Sequence, residues 1–225
     1  MSVPTMMDLV DLSHPLDPER MSIPPGLPQL ISCPIATVPK DGFSMHTVSF
    51  GSHTGTHIDA PSHFIADGKS IDQISLSALV GVALVLDFTH KGPKEVITWV
   101  DITQSPHADK IEPGIILLLH TGWSKHWAAT GQIYWDHPYL SLDVAEQLIA
   151  RGVSVIGVDC ASPDRSLLEP PWDFPFHRSF LGHGGLIVEN LTALGELQRP
   201  KVMVNLLPIN LVGCDGAPVR GIAWK

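Results

Sequence analysis

The chain has 225 residues, of which 44% are apolar and 16% charged, and its formal net charge is −9. That composition excludes a disordered chain, and the acidic balance argues against a phosphate backbone, and so nucleic acid, as a partner. The length fits one domain over 1–225 with a substantial core, and no apolar run approaches the roughly 18 residues that a bilayer crossing needs.

From the start of the chain, "MSVPTMMDLVDL" has no basic segment followed by an apolar one and does not read as a signal peptide. Prolines gather in "SIPPGLPQ" (22–29) and in "EPPWDFPF" (169–176). Both stretches predict ordered loops, because proline continues neither a helix nor a central strand. "DQISLSALVG" (72–81) predicts a short helix that feeds a strand. "GVALVLDF" (81–88) and "GIILLLHTGW" (114–123) have the length and composition of buried strands, the second carrying His120 and Trp123 to its end. "SLDVAEQLIARG" (141–152) predicts a helix with Leu142, Ala145, Leu148 and Ile149 on one face, Asp143 and Glu146 as a capping box and Gly152 at its close. "VSVIGVD" (153–159), "GLIVENL" (185–191) and "KVMVNLLPINL" (201–211) read as further strands. A strand directly after a helix argues for an α/β fold.

Cys33, Cys160 and Cys214 are sparse and form no CxxC, which predicts free buried thiols in a reducing compartment, hence a cytoplasmic protein. Cys160 in "DCASPD" has no activating base in sequence and is set aside as a nucleophile; no GxSxG motif occurs either.

The stretch that points to chemistry is "GSHTGTHIDAPSHF" (51–64). Read as a strand over 53–59, its side chains alternate faces, so His53, Gly55, His57 and Asp59 share one face while Thr54, Thr56 and Ile58 point away. A helix would also align His53 with His57, but it would turn Asp59 aside, and Gly55 and Pro61 disfavour it. Imidazole nitrogen and carboxylate oxygen are ligands that zinc and other first-row ions accept, so the spacing predicts a metal site rather than a surface cluster. His63 lies beyond the turn at Pro61, as a further ligand or as a proton carrier that titrates near neutrality.

"HTGTHIDAPSHF" resembles the HxGTHxDxPxH signature of the cyclase-like metal-dependent hydrolases, which include bacterial-type kynurenine formamidase and isatin hydrolase. "DLSHPLDP", "LLLHTGWSKHW", "IGVDCASPD", "HRSFLGHGGLIVENL" and "DGAPVRGIA" resemble the family's other landmarks in order. The resemblance implies a β-barrel-like mixed sheet flanked by helices, of the swivelling β/α type, and a homodimer or homotetramer. It implies His53, His57 and Asp59 as one group of metal ligands, His177 and Glu189 as a second with Asp59 able to bridge, and His63 as the catalytic histidine. Zinc, or manganese instead, in one or two ions, is the implied cofactor. A carboxylate such as Glu189 in an apolar run is costly unless paired or metal-bound, or else it sits at an exposed strand end. His183, flanked by glycines, is left out of the metal site, while Asp159, Ser162 and Asp164 are expected to line or brace it.

The implied activity is hydrolysis of a small-molecule amide, an N-formyl arylamine or a cyclic amide, by metal-activated hydroxide with His63 moving the proton. The alternative is a non-enzymatic, metal-retaining binding module on the same scaffold. Relatives often carry an aromatic residue before the Pro-Gly of the first proline-rich loop. Here Ile23 and Pro24 stand there, which removes a stacking surface for an aryl substrate. Phe43, Met45, Trp172, Phe174 and Phe176 are the candidates to replace it.

Overall fold

The apolar runs become the strands of one large mixed sheet. The computed structural model describes residues 9–23, 26–129, 131–167 and 169–225; Pro24 lies outside them. In chain order the elements are β1 (Leu9–Asp11), β2 (Ile31–Ala36), α1 (Val38–Asp41), β3 (Met45–Ser49), β4 (His57–Asp59), β5 (Val80–Asp87), β6 (Val96–Ile97), α2 (Trp99–Gln104) and β7 (Ile116–His120). They continue with β8 (Tyr139–Leu140), α3 (Leu142–Ala150), β9 (Val155–Val158), α4 (Pro175–Gly182), β10 (Leu186–Glu189), β11 (Lys201–Asn205), β12 (Gly216–Pro218) and β13 (Ile222–Trp224).

Nine strands pair in the order β1-β13-β11-β5-β7-β9-β10-β4-β12. The middle four, β5, β7, β9 and β10, run parallel, and the flanking pairs are antiparallel. Short strands of β-branched and aliphatic residues joined by helical crossovers favour the parallel centre. The sheet curls back on itself: Ser13, just past β1, bridges Leu191, just past β10. Every strand of the sheet sends a buried side chain into one concave cluster: Val10, Ile58, Ala83, Leu118, Val155, Val188, Val204, Ala217 and Ala223. Alternate residues such as Leu117, Leu119, Ile156 and Ile187 face the other way, into a second core under the helices with Leu148, Phe176 and Phe180. The β-barrel-like core flanked by helices is thus what the alternation produces.

Several local expectations change. Over 53–59 only β4 is extended; residues before it form a turn with Gly55 at φ +70. The segment 72–81 holds two single 3-10 turns, Ile71–Gln73 and Leu76–Ala78, rather than a helix, because Ser70 and Gln73 close a cap over one turn. The strand at 201–211 stops at Asn205, three residues short of Pro208. In α3 the buried stripe is Val144, Ala145 and Leu148, with Leu142 exposed, since the helix turns that face to α4. Its N-cap is Ser141, whose hydroxyl donates to Asp143, so Asp143 and Glu146 form no capping box. Gly152, at φ +71, follows the last turn as expected. Of the three free cysteines only Cys160 is buried; Cys33 is exposed on the β2–β3 hairpin and Cys214 is half-buried.

Candidate metal centre and pocket

β4 and β10 build the floor of the site. They pair antiparallel with His57 opposite Glu189 and Asp59 opposite Ile187. Ile58 and Val188 point into the concave core, so His57, Asp59 and Glu189 share the opposite face. His53 reaches them by another route than strand phase. The left-handed turn at Gly55 folds residues 51–56 back over β4, and a Cβ there would come within 2.2 Å of Leu16 Cδ2. α4 brings His177 from the helical side.

The groups converge. His53 Nδ1 lies 2.7 Å from Asp59 Oδ1, and His57 Nε2 lies 3.3 Å from the same oxygen and 3.4 Å from Glu189 Oε2. His177 Nε2 is 3.4 Å from Asp59 Oδ2 and 3.3 Å from Glu189 Oε1. Two three-residue sets, His53–His57–Asp59 and Asp59–His177–Glu189, each keep their ligand atoms within 4.8 Å of one another and meet at Asp59. His57, Asp59, His177 and Glu189 are all buried. Yet His57 Nε2, Asp59 Oδ2 and Glu189 Oε1 accept and donate no hydrogen bond. A buried polar atom left so costs about 1–3 kcal/mol, and cations held by the two sets would offset that cost. Nitrogen and carboxylate donors in that number fit a first-row divalent ion.

The outer nitrogens are held in place. His57 Nδ1 donates to the Gly55 carbonyl at 2.8 Å, and His177 Nδ1 donates to Asp164 Oδ2 at 2.7 Å. Asp164 also accepts the backbone N–H groups of Phe176 and His177, at 2.9 and 3.0 Å, and so closes the start of α4. Asn190, at φ +58, donates to the same Gly55 carbonyl at 3.0 Å and accepts from the Tyr134 hydroxyl. Such partners fix which ring nitrogen faces the centre.

Charge follows the geometry. Burial alone would lower the pKa of His57, but Asp59 and Glu189 beside it raise it to about 10. Burial likewise opposes a charged His53, and Asp215 and Asp59 overcome it, to about 9. His177 is raised well above the ordinary value against burial by Asp164, Asp59 and Glu189. Burial pushes Asp59 upward, but the three imidazoles hold it well below the usual carboxylate range. His63 goes the other way: burial lowers it, which keeps the ring neutral at pH 7.

A cavity of about 460 Å³ opens over this floor and also reaches His63. Its apolar walls are Phe64, Phe174, Trp127, Trp135, Leu27 and Leu167, and Ile23 sits at its rim. Of the aromatic and methionine side chains expected to replace the missing ring, only Phe174 lines it. Phe43, Met45 and Trp172 are exposed, and Phe176 is buried in the helical core. Ser162 lines the cavity and Asp164 braces His177, whereas Asp159 accepts from Thr121 and Gly122 and fixes the turn after β7. Trp123 packs in the core with its indole N–H on the Ile133 and Tyr134 carbonyls, and neither it nor His120 lines the cavity. Burial pushes the Cys160 thiol well up, so it supplies no thiolate. His183 is exposed and bonds to Ser179, away from the centre.

Sequence reasoning missed Asp215, Asn190 and Tyr134. The signal for Asn190 was its place directly after Glu189; Asp215 and Tyr134 arrive from distant segments.

The Cyclase family model matches residues 10–165. A kynurenine formamidase of Bacillus cytotoxicus is 32% identical over 220 residues, covering 95% of each chain. The crystal structure of an isatin hydrolase bound to the product analogue thioisatinate has the same fold, with a TM-score of 0.86 at 23% identity over 97% of this chain and 92% of that one. The structure of a potential metal-dependent hydrolase with cyclase activity gives a TM-score of 0.76 at 27% identity, over 96% of this chain and 97% of that one.

Proposed function

The chain belongs to the cyclase family, and from that premise we propose that it is a metal-dependent amidohydrolase of small molecules, cleaving an N-formyl arylamine or a cyclic amide. The observation that carries the metal is that the buried ligand cluster leaves one atom each of His57, Asp59 and Glu189 without a hydrogen bond. The relatives carry the amide: they are hydrolases of a formamide and of isatin.

In this reading His53, His57 and Asp59 hold one divalent ion, and Asp59, His177 and Glu189 are placed for a second, zinc first and manganese as the alternative. Such an ion acidifies a bound water toward neutrality and polarises a carbonyl. The chain's own residues do the rest. The wall of Phe64, Phe174, Trp127 and Trp135 takes the flat apolar part of the substrate and excludes water from it. Trp127 and Trp135 stand in for the ring absent at Ile23. His63, neutral because burial disfavours its charged form, accepts a proton from the attacking water and returns it to the leaving nitrogen.

The same reading makes the protein a single domain and a homodimer or homotetramer. The β2–β3 hairpin supports the assembly: Ile31, Ile35, Val38, Phe43, Met45 and Val48 are all more than half exposed on it. A two-stranded hairpin is marginal alone in water, and a patch of this kind seeks a partner. Among the described residues no helix is long and apolar enough to cross a membrane, and the free cysteines fit the cytoplasm.

The test is elemental analysis of the purified protein, with hydrolysis of N-formylkynurenine and isatin measured with and without a chelator. Bound zinc or manganese and chelator-sensitive turnover are expected. Metal with no turnover on a broad amide panel would point to a binding module, and turnover indifferent to complete metal removal would end the metal reading.

A further inference from the structure

Asp215 lies outside those two ligand sets, forming instead a third, less buried group with His53 and His63, and it touches a member of the centre and the proton carrier at once. It enters β12, the edge strand that pairs with β4, and its carbonyl accepts the Ala60 N–H at 2.9 Å. One carboxylate oxygen, Oδ2, receives His53 Nε2 at 2.9 Å and His63 Nδ1 at 3.0 Å. The other, Oδ1, accepts the Ser52 hydroxyl at 2.8 Å. The two imidazole rings it joins lie 3.9 Å apart, tilted by 33°. The next residue must be small: a Cβ on Gly216 would stand 2.8 Å from His53 Cε1 and 2.8 Å from the Ile58 carbonyl. The edge strand therefore runs hard against His53, and Asp215 is where it meets both rings.

We infer that Asp215 is a positioning residue that sets the tautomer of His53 and His63 together. The inference rests on the metal-hydrolase reading. A ligating histidine is neutral and keeps one N–H. Asp215 takes that N–H at Nε2 of His53, which leaves the lone pair on Nδ1, the nitrogen 2.7 Å from Asp59. For His63 the same oxygen takes the N–H at Nδ1, which leaves the lone pair on Nε2 free to accept a substrate-side proton. Both assignments hang on one oxygen atom, so loss of the carboxylate disturbs metal retention and proton transfer in one step. Asn at 215 keeps one neutral carbonyl acceptor but loses the carboxylate's charge, so it holds the two ring N–H groups more weakly.

The experiment compares wild type, Asp215→Asn, His63→Ala and the double variant as zinc-loaded full chains. Zinc affinity is read by chelator competition, and kcat and KM separately at saturating zinc. Asp215→Asn is expected to weaken zinc retention by ~10–100-fold, the usual effect of removing such an outer partner. It is expected to lower kcat at saturating zinc by ~10–100-fold with KM within about threefold, and to lower it no further in the His63→Ala background. Unchanged zinc affinity with full kcat overturns the inference, and so does a kcat loss of equal size with His63 absent. A fall in thermal midpoint with kcat per folded molecule intact also overturns it, as that is a purely structural role. Wild-type protein with neither zinc nor turnover removes the hydrolase reading and this inference together; an active, zinc-holding wild type beside an indifferent Asp215→Asn removes only the inference.

Discussion

Asp59 turns one oxygen toward His53 and His57 and the other toward His177. Substitution there removes a member of both ligand sets. Asp59→Ala is expected to purify without metal and without turnover. His63→Ala is expected to keep its metal and lose ~10²–10⁴-fold in kcat, the range of a general acid–base group. Metal analysis and steady-state rates on the two proteins check this; full metal content in Asp59→Ala would refute the ligand assignment. A second residue, His14, contributes to acid sensitivity. Its ring stacks on Trp127, with centroids 4.5 Å apart, and Nε2 has no partner. Burial lowers its pKa to about 4, from an ordinary 6.5. Between those values the unfolded chain binds a proton that the folded chain refuses, so stability falls as pH drops from 6.5 toward 4. The loss is on the order of 1–2 kcal/mol once partial access to solvent is discounted. His14→Phe keeps the stack and removes the proton. Its urea midpoint should fall less than that of wild type between pH 7 and pH 4.5, and equal falls would count against His14.

At the scale of elements, the centre depends on how α4 is started. Asp164 accepts two N–H groups of its first turn and the His177 ring, and all these partners are buried. Asp164→Ala is expected to lower stability by about 1–2 kcal/mol, as for a lost N-cap, and zinc affinity by ~10–100-fold. Thermal melts and chelator competition measure the two; a variant that lost stability but held zinc as well as wild type would make Asp164 a cap alone. Sequence patterns announced the elements unevenly. Run length and β-branching were enough for β5, β7, β9 and β10, of which β7, β9 and β10 are buried on both faces. Period two placed His57 with Asp59, and the cost of burying Glu189 marked it in an otherwise apolar run. His53 comes beside them through the left-handed turn at Gly55 and not through strand phase. The Asp164 and Asp215 contacts span 13 and 162 residues, and no local periodicity carries information over such distances.

For the whole molecule, alternation within strands signalled a two-sided sheet, and the curl became visible only through long-range pairing. The bridge of Ser13 to Leu191 and the shared cluster of all nine strands are the observations that show it. The β2–β3 hairpin stands apart from that sheet and is exposed on both faces. If that surface joins copies of the chain, Ile35→Lys combined with Phe43→Lys should convert a dimer or tetramer to monomer in light scattering. A wild type that is already monomeric at micromolar concentration would dismiss the assembly.

In β4, reagent and frame alternate along three residues: His57 and Asp59 face the centre while Ile58 faces hydrocarbon. Substitutions in the cavity walls can therefore retune which molecule is accepted without disturbing the support beneath. A gain or loss of one residue inside 57–59 has no such latitude. It would exchange the two faces, drive a carboxylate into the barrel and leave an isoleucine where the ligands were. Lineages descended from this chain are free to rewrite the walls by point changes but are held to constant length in that strand.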